Sequence, residues 1–196
     1  MTKRSKTAAL FIVGAAAFAL SGCKEEKVDA QAFPDLDACI RSAKADNLFS
    51  EADCTSAFAE AQALHVETAP RYDSLQVCEE QYGEGNCGSE QQATSGGSGS
   101  IFMPLLTGYL IGNMLGGGRG IASQPLYKNA NGRFSTPGGG TSFSSNSGKA
   151  NLNPATFAKA PTTVGKPPMT KATAASRGGF GSSSTRSTGG LRGFGG

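Results

Sequence analysis

Residues 35–90 read DLDACIRSAKADNLFSEADCTSAFAEAQALHVETAPRYDSLQVCEEQYGEGNCGSE and carry the strongest structural signals in the chain. They hold four of the five cysteines: Cys39, Cys54, Cys78 and Cys87. In an exported chain, which the amino terminus indicates below, an even number of cysteines predicts disulfides because the compartment oxidises thiols. The spacing has no CxxC or HxxxH pattern, so it does not favour zinc.

Two helices are predicted in the first part of this region. Asp35 can cap a first helix over roughly 36–46. Ser50, followed three residues later by Asp53, resembles a capping box that opens a second helix, and Pro70 stops that helix. The two would form a helical hairpin.

The second helix has one apolar stripe with helical spacing. Its members are Cys54, Ala57, Phe58, Ala61, Leu64 and His65. His65 is the only histidine of the chain. Its position on the stripe favours a packed or half-exposed helix residue over a catalytic base.

A short third helix is predicted over 75–82, and the turn that follows lets Cys87 fold back on Cys78. Cys39 and Cys54 would face each other across the helical hairpin. We therefore expect the bridges Cys39–Cys54 and Cys78–Cys87, with a nested pairing as the alternative. A domain this small is marginal on its core alone, and two bridges would stabilise it.

The charges divide the chain into two halves. Residues 24–90 hold five basic and fifteen acidic residues, a net charge of −10, whereas residues 96–196 hold ten basic residues and no acidic one. Opposite blocks attract each other, or the blocks of another copy, and the basic block attracts polyanions.

The amino terminus is typical of an exported lipoprotein. A basic start is followed by an apolar run over 7–20 that is too short to span a membrane. Leu-Ser-Gly-Cys, ending at Cys23, resembles a lipobox, so we predict a signal peptide over 1–22, acylation of Cys23 and an anchor and tether over 23–34. An ordinary cleaved signal with an incidental cysteine is the alternative. Lys24 after the cysteine implies transport to the outer membrane, with the protein facing the periplasm.

A second apolar segment, 101–120, follows a Gln/Ser/Gly linker over 91–100. Its glycines recur every four residues, which on a helix would form a flat track for another helix. These glycines are Gly108, Gly112, Gly116 and Gly120. We predict a short glycine-zipper helix that self-associates or enters the membrane. An apolar loop covering the small domain is the alternative.

Residues 121–196 form a basic tail rich in Gly, Ser and Pro, which predicts disorder. Export disfavours nucleic acid as its partner and favours anionic lipids or lipopolysaccharide. The expected contact residues are Arg177, Phe180, Arg192 and Phe194.

Several of these motifs together resemble the YgiB and YjfM group of uncharacterised bacterial envelope proteins. The resemblance covers most of the mature chain. It rests on the helix region of Cys39 and Cys54, Thr68-Ala69-Pro70-Arg71-Tyr72, Cys78 to Cys87, Met103-Pro104-Leu105-Leu106 with Gly108-Tyr109 and Gly116-Gly117-Gly118, Gln124-Pro125-Leu126-Tyr127 and Arg177-Gly178-Gly179-Phe180-Gly181. The resemblance supplies no activity, but it implies an ATP-grasp ligase of the glutathionylspermidine synthase type as a pathway partner.

The predicted fold is a mostly disordered chain with a small all-α, disulfide-stapled domain over 35–90 and one short glycine-zipper helix. The sequence contains no GxSxG, HExxH or Walker motif. We therefore expect no catalytic residue, metal or cofactor, and a structural or interaction role in the envelope. The alternative function is a docking partner or substrate of the ligase, with residues 177–181 as the recognised motif.

Overall fold

The chain has 196 residues, and its computed structural model describes residues 27–46, 48–91, 100–114, 120–137 and 139–176. The helices in these ranges are α1 (Leu36–Asp46), α2 (Glu51–Thr68), α3 (Leu75–Tyr82) and α4 (Lys171–Ser176), with a 3₁₀ turn at Pro154–Phe157. The strands are β1 (Val28–Phe33), β2 (Cys87–Ser89), β3 (Phe102–Pro104), β4 (Gly108–Asn113), β5 (Ile121–Lys128), β6 (Phe134–Ser135), β7 (Ser142–Phe143) and β8 (Gly148–Leu152).

An antiparallel sheet of six strands organises the fold. Its strand order is β7-β6-β5-β4-β1-β8, and it curls into a half-barrel. β1 lies between two strands that are distant in sequence: Gln31 pairs with Ile111 of β4 on one side and with Lys149 of β8 on the other. β2 and β3 pair separately as a two-stranded ladder.

The two faces of the sheet have different partners, because successive side chains of a strand point to opposite faces. Tyr109 and Ile111 of β4 pack with Phe33 against the helices. Leu110 faces the other way and packs with Leu126 in a second apolar cluster. β4 is thus buried on both faces, which explains why its sequence is almost entirely apolar.

The helix predictions for 36–46 and 75–82 are confirmed, and the second helix begins after Ser50 and ends before Pro70. Ser50 and Asp53 form the predicted capping box, with the Asp53 amide donating to Ser50 Oγ at 3.1 Å. The Ala38 amide donates to Asp35 Oδ1 at 2.7 Å, so the predicted cap of α1 is also present.

Both predicted disulfides are present. Cys39 and Cys54 join α1 to α2 with their Cα atoms 5.7 Å apart. Cys78 and Cys87 join α3 to β2 with a Cα separation of 6.2 Å. Three of the four residues are fully buried, so the bridges are part of the core between helices and strands.

The predicted fold class is wrong: the described chain is a mostly ordered mixed α/β structure, not a disordered chain with an all-α domain. Gly108 and Gly112 lie in β4, and Gly120 directly precedes β5. No glycine-zipper helix forms in the described part of 101–120, and Gly116 lies outside the described residues. A four-residue period is even, so it places Gly108 and Gly112 on one face of a strand as readily as on one face of a helix.

The prediction of disorder from residue 121 onward is also wrong over the described ranges 121–137 and 139–176. β5 to β8 and α4 lie there, and β8 pairs with β1 over five residue positions. The pairing is long-range, so local Gly, Ser and Pro content does not reveal it. No helix in the described ranges has the length and apolar character that crossing a bilayer requires.

Gly112 supplies a test of the sheet. A Cβ atom at this position would lie 2.3 Å from the Phe157 ring, so we expect Gly112→Ala to lower the free energy of unfolding by about 1–3 kcal/mol. In a solvated glycine-zipper helix the same change would raise it by about 1 kcal/mol, because alanine is the better helix former. Urea titration measures the sign. Gly140→Ala is the matched control, since its Cβ would meet no heavy atom within 4 Å.

Candidate functional site

The two charge blocks meet along the carboxyl-terminal segment of the described chain. Lys159 Nζ lies 2.7 Å from Glu67 Oε2 on α2, and Lys171 Nζ lies 2.8 Å from Glu80 Oε1 on α3. Both pairs are solvent-exposed, so each stabilises the fold only weakly. Together they neutralise two of the basic residues within the molecule.

Three other cations of the basic block differ from these two lysines. Among the described residues, Lys128, Arg133 and Lys166 form no ion pair. All three residues are exposed. The described part of the basic block therefore presents positive charge that the acidic helices do not neutralise.

A cleft of about 420 Å³ opens between the two edge strands of the sheet, β7 and β8. Its floor is apolar and consists of Ala32, Leu110, Phe143 and Ala150. Strand register explains the shape, since Leu110, Ala32 and Gly148 are paired in a row across β4, β1 and β8. The side chains shrink along this row from leucine to alanine to none, and the space they leave is the cleft.

The rim of the cleft is polar and basic. Ser144, Ser145 and Ser147 belong to the connection from β7 to β8. They are joined by Ser142 of β7, Lys149 of β8 and Arg133, which directly precedes β6. None of the described residues that line the cleft is acidic. Serine hydroxyls and a guanidinium surrounding an acid-free opening are the groups that bind oxyanions.

Arg133 is positioned at both its backbone and its side chain. Its amide donates to Oδ1 of the buried Asn129 at 2.9 Å, and its Nε donates to Ser142 Oγ at 2.8 Å. A cation held in this way loses less conformational entropy when it binds an anion. Lys149 differs, because its pairing with Gln31 places its side chain on the helix side of the sheet.

A second polar cluster centres on Arg71, whose side chain is 4% exposed. Its Nε donates to Glu90 Oε1 at 2.7 Å, one terminal nitrogen donates to the Val66 carbonyl at 2.8 Å, and the other donates to Thr163 Oγ1. The buried guanidinium thus joins the end of α2, the end of β2 and the carboxyl-terminal segment. Its donors are committed to these contacts, so the cluster is structural.

His65 lies beside this cluster and is 8% exposed. Its Nδ1 lies 3.1 Å from Tyr127 Oη. Burial, with the nearby charge of Arg71, lowers the His65 pKa to about 4, and burial raises the pKa of Tyr127. The interpretation of His65 as a packed helix residue is confirmed.

Most of the residues that the sequence analysis assigned to interaction lie outside the described ranges. These are Cys23, Gly116, Arg177, Phe180, Arg192 and Phe194. The cleft itself was missed. The run SFSSNSGK at 142–149 was its only local signal, and four serines beside a lysine in an acid-free half are easily mistaken for a linker.

The neutral state of His65 predicts a pH dependence of stability. Between about pH 6.5 and pH 4 the unfolded chain protonates this histidine and the folded chain does not, so acidification favours unfolding by up to about 3 kcal/mol. The contribution of neutral His65 to the free energy of unfolding is fully present above about pH 6.5 and is lost as the pH falls toward 4. His65→Gln should remove this part of the slope in urea titrations at pH 7, 5.5 and 4.5. Equal slopes for both proteins would contradict it.

The comparisons with known proteins identify relatives without a known function. A UPF0441 protein of Klebsiella pneumoniae subsp. pneumoniae is 33% identical over 177 residues, covering 86% of this chain and 77% of the relative, and one from Klebsiella pneumoniae strain 342 matches equally. No solved structure matches the chain. A family model described as a protein of unknown function, DUF1190, matches residues 27–190, and the chain therefore belongs to the DUF1190 family.

Proposed function

We propose that this protein is a non-catalytic lipoprotein of the cell envelope that binds anionic surfaces through its basic half. Within its family we place it with the YgiB and YjfM group, on the motifs given above. Acyl chains on Cys23 tether it to the outer membrane, facing the periplasm. The two disulfides are consistent with export to an oxidising compartment.

One observation supports this proposal most directly: within the described ranges Lys128, Arg133 and Lys166 form no ion pair, whereas Lys159 and Lys171 are neutralised by Glu67 and Glu80. Unpaired cations near an anionic membrane are attracted within about a Debye length, roughly 10 Å at 0.1 M salt. A tether holds the protein within that range and raises the effective concentration of the contact.

Two further partners stay predictions. Copies of the chain could associate through their opposite charge blocks, which requires no glycine zipper. Docking to an ATP-grasp ligase rests on the family resemblance, and its motif, 177–181, lies outside the described residues.

The anchor predicts a defined mass for the protein purified from membranes. We expect loss of residues 1–22, added acyl chains, and a gain of four hydrogens on reduction of the two disulfides. Intact-mass spectrometry measures all three, and Cys23→Ser should abolish the acylation. An unprocessed chain with free thiols, or release of the wild type from membranes by high salt, would contradict the anchor.

The basic half predicts salt-sensitive binding to anionic vesicles. The mature chain, beginning at residue 23 and carrying Cys23→Ser, should float with phosphatidylglycerol vesicles at 0.1 M salt and dissociate at 1 M, because the Debye length falls to about 3 Å. It should not float with phosphatidylcholine vesicles.

Two double variants with the same net charge provide the control. Lys128→Gln/Lys166→Gln removes unpaired cations and should weaken binding by about fivefold per lysine. Lys159→Gln/Lys171→Gln removes cations that are already paired and should weaken it less. Equal losses would show that only total charge matters and would reject the assignment to this surface.

A further inference from the structure

We propose that the cleft between β7 and β8 is a binding site for an amphiphilic anion, a small molecule with one apolar group and one oxyanion head. The apolar group covers the half-buried Phe143 and Ala150 of the floor, above the buried Ala32 and Leu110, and the head binds Arg133 and the serine rim. This inference goes beyond the proposed function, because it assigns a specific ligand class to a cleft and not a charged surface to a membrane.

The floor supports the apolar part of the ligand. Ala32 and Leu110 belong to the second apolar cluster of the sheet, together with the half-buried Phe143. A Cβ atom placed on Gly148 would meet no heavy atom within 4 Å, so the end of the row is open. An apolar group in this space gains free energy from the water-accessible surface that it covers.

The rim supports an oxyanion head. Arg133 is held in place by Asn129 and Ser142 and forms no ion pair among the described residues, so part of its guanidinium can pair with a ligand. The Ser145 and Ser147 hydroxyls hydrogen-bond to each other at 3.0 Å, so one of the two O–H groups remains to donate to a ligand. A phosphate or carboxylate satisfies both kinds of donor.

Neither half of the ligand suffices by itself. A bare oxyanion would leave the accessible part of the floor, Phe143 and Ala150, in contact with water, and a neutral apolar molecule would supply no counter-charge for Arg133. The two kinds of lining lie within one cleft of about 420 Å³, a size typical of small-molecule sites. A single molecule with both groups is therefore the ligand class that fits.

The test is a titration of the mature chain, beginning at residue 23 and carrying Cys23→Ser, with three probes: inorganic phosphate, hexyl phosphate and hexanol. Amide shifts of residues 142–150 report the binding in nuclear magnetic resonance spectra. We expect hexyl phosphate to bind at least tenfold more tightly than either other probe. Butyl, pentyl and hexyl phosphate should improve by up to about fourfold per methylene until the floor is covered.

Three variants assign the two halves of the site. Arg133→Gln should weaken hexyl phosphate at least tenfold and leave hexanol unchanged. Ala150→Leu places a larger side chain on an edge strand at the floor, and should reduce hexyl phosphate to the affinity of inorganic phosphate. Lys166→Gln removes the same charge outside the cleft and should change neither affinity by more than twofold.

Equal affinity for phosphate and hexyl phosphate would overturn the apolar half, and indifference to Arg133→Gln would overturn the head assignment. Shifts confined to residues outside 142–150 would overturn the site. These results are separable from the proposed function, since the flotation of Lys128→Gln/Lys166→Gln tests cations of the charged surface that lie outside the cleft. If the ligand is a soluble molecule, only free hexyl phosphate should bind. If it is a membrane lipid, the protein should also float more strongly with vesicles that carry phosphatidic acid, and Arg133→Gln should abolish this increase.

Discussion

The rest of the structure depends on the insertion of β1 between β4 and β8, two strands from distant parts of the chain. Ala32 illustrates the constraint, since it pairs with Leu110 on one side and with Gly148 on the other. A one-residue slip of either ladder would exchange the two faces of β1. With both ladders in register, one face meets α1 and α2 and the other forms the floor of the cleft. The helical layer and the candidate site are therefore both consequences of one strand's register.

The features that sequence reasoning predicted correctly are local. A capping box involves residues three positions apart, and the pairing of Cys39 with Cys54 follows from two adjacent helices. The two pairings of β1 were missed because its partners β4 and β8 are far away in sequence, with Asp29 facing Asn151. The even spacing of Gly108 and Gly112 was ambiguous between a helix face and a strand face. In the structure, glycine is needed at position 112 because the Phe157 ring occupies the space where a side chain would lie.

The positive charge was the only property of the candidate site that the sequence could predict. The acid-free half was visible in the sequence, but the cleft exists because the curled sheet brings β7 and β8 near each other, which no local pattern reports. The role of Arg71 was likewise hidden from local sequence patterns. Its motif contributed to the family resemblance, but its side chain binds Glu90 and Thr163, which lie 19 and 92 residues away.

The division of charge along the chain has a structural consequence that a mixed sequence would not produce. The carboxyl-terminal segment crosses the acidic helices, where Lys159 and Lys171 find carboxylates at its two ends and Arg71 holds Thr163 between them. The strands from β5 to β8 contain no acidic residue, so Arg133 has no carboxylate near it within its own block. Were the acids distributed evenly, nearby carboxylates would neutralise the strand cations as they do those of the crossing segment. Separation of the blocks thus lets one group of cations stabilise the fold while another remains available to an external anion.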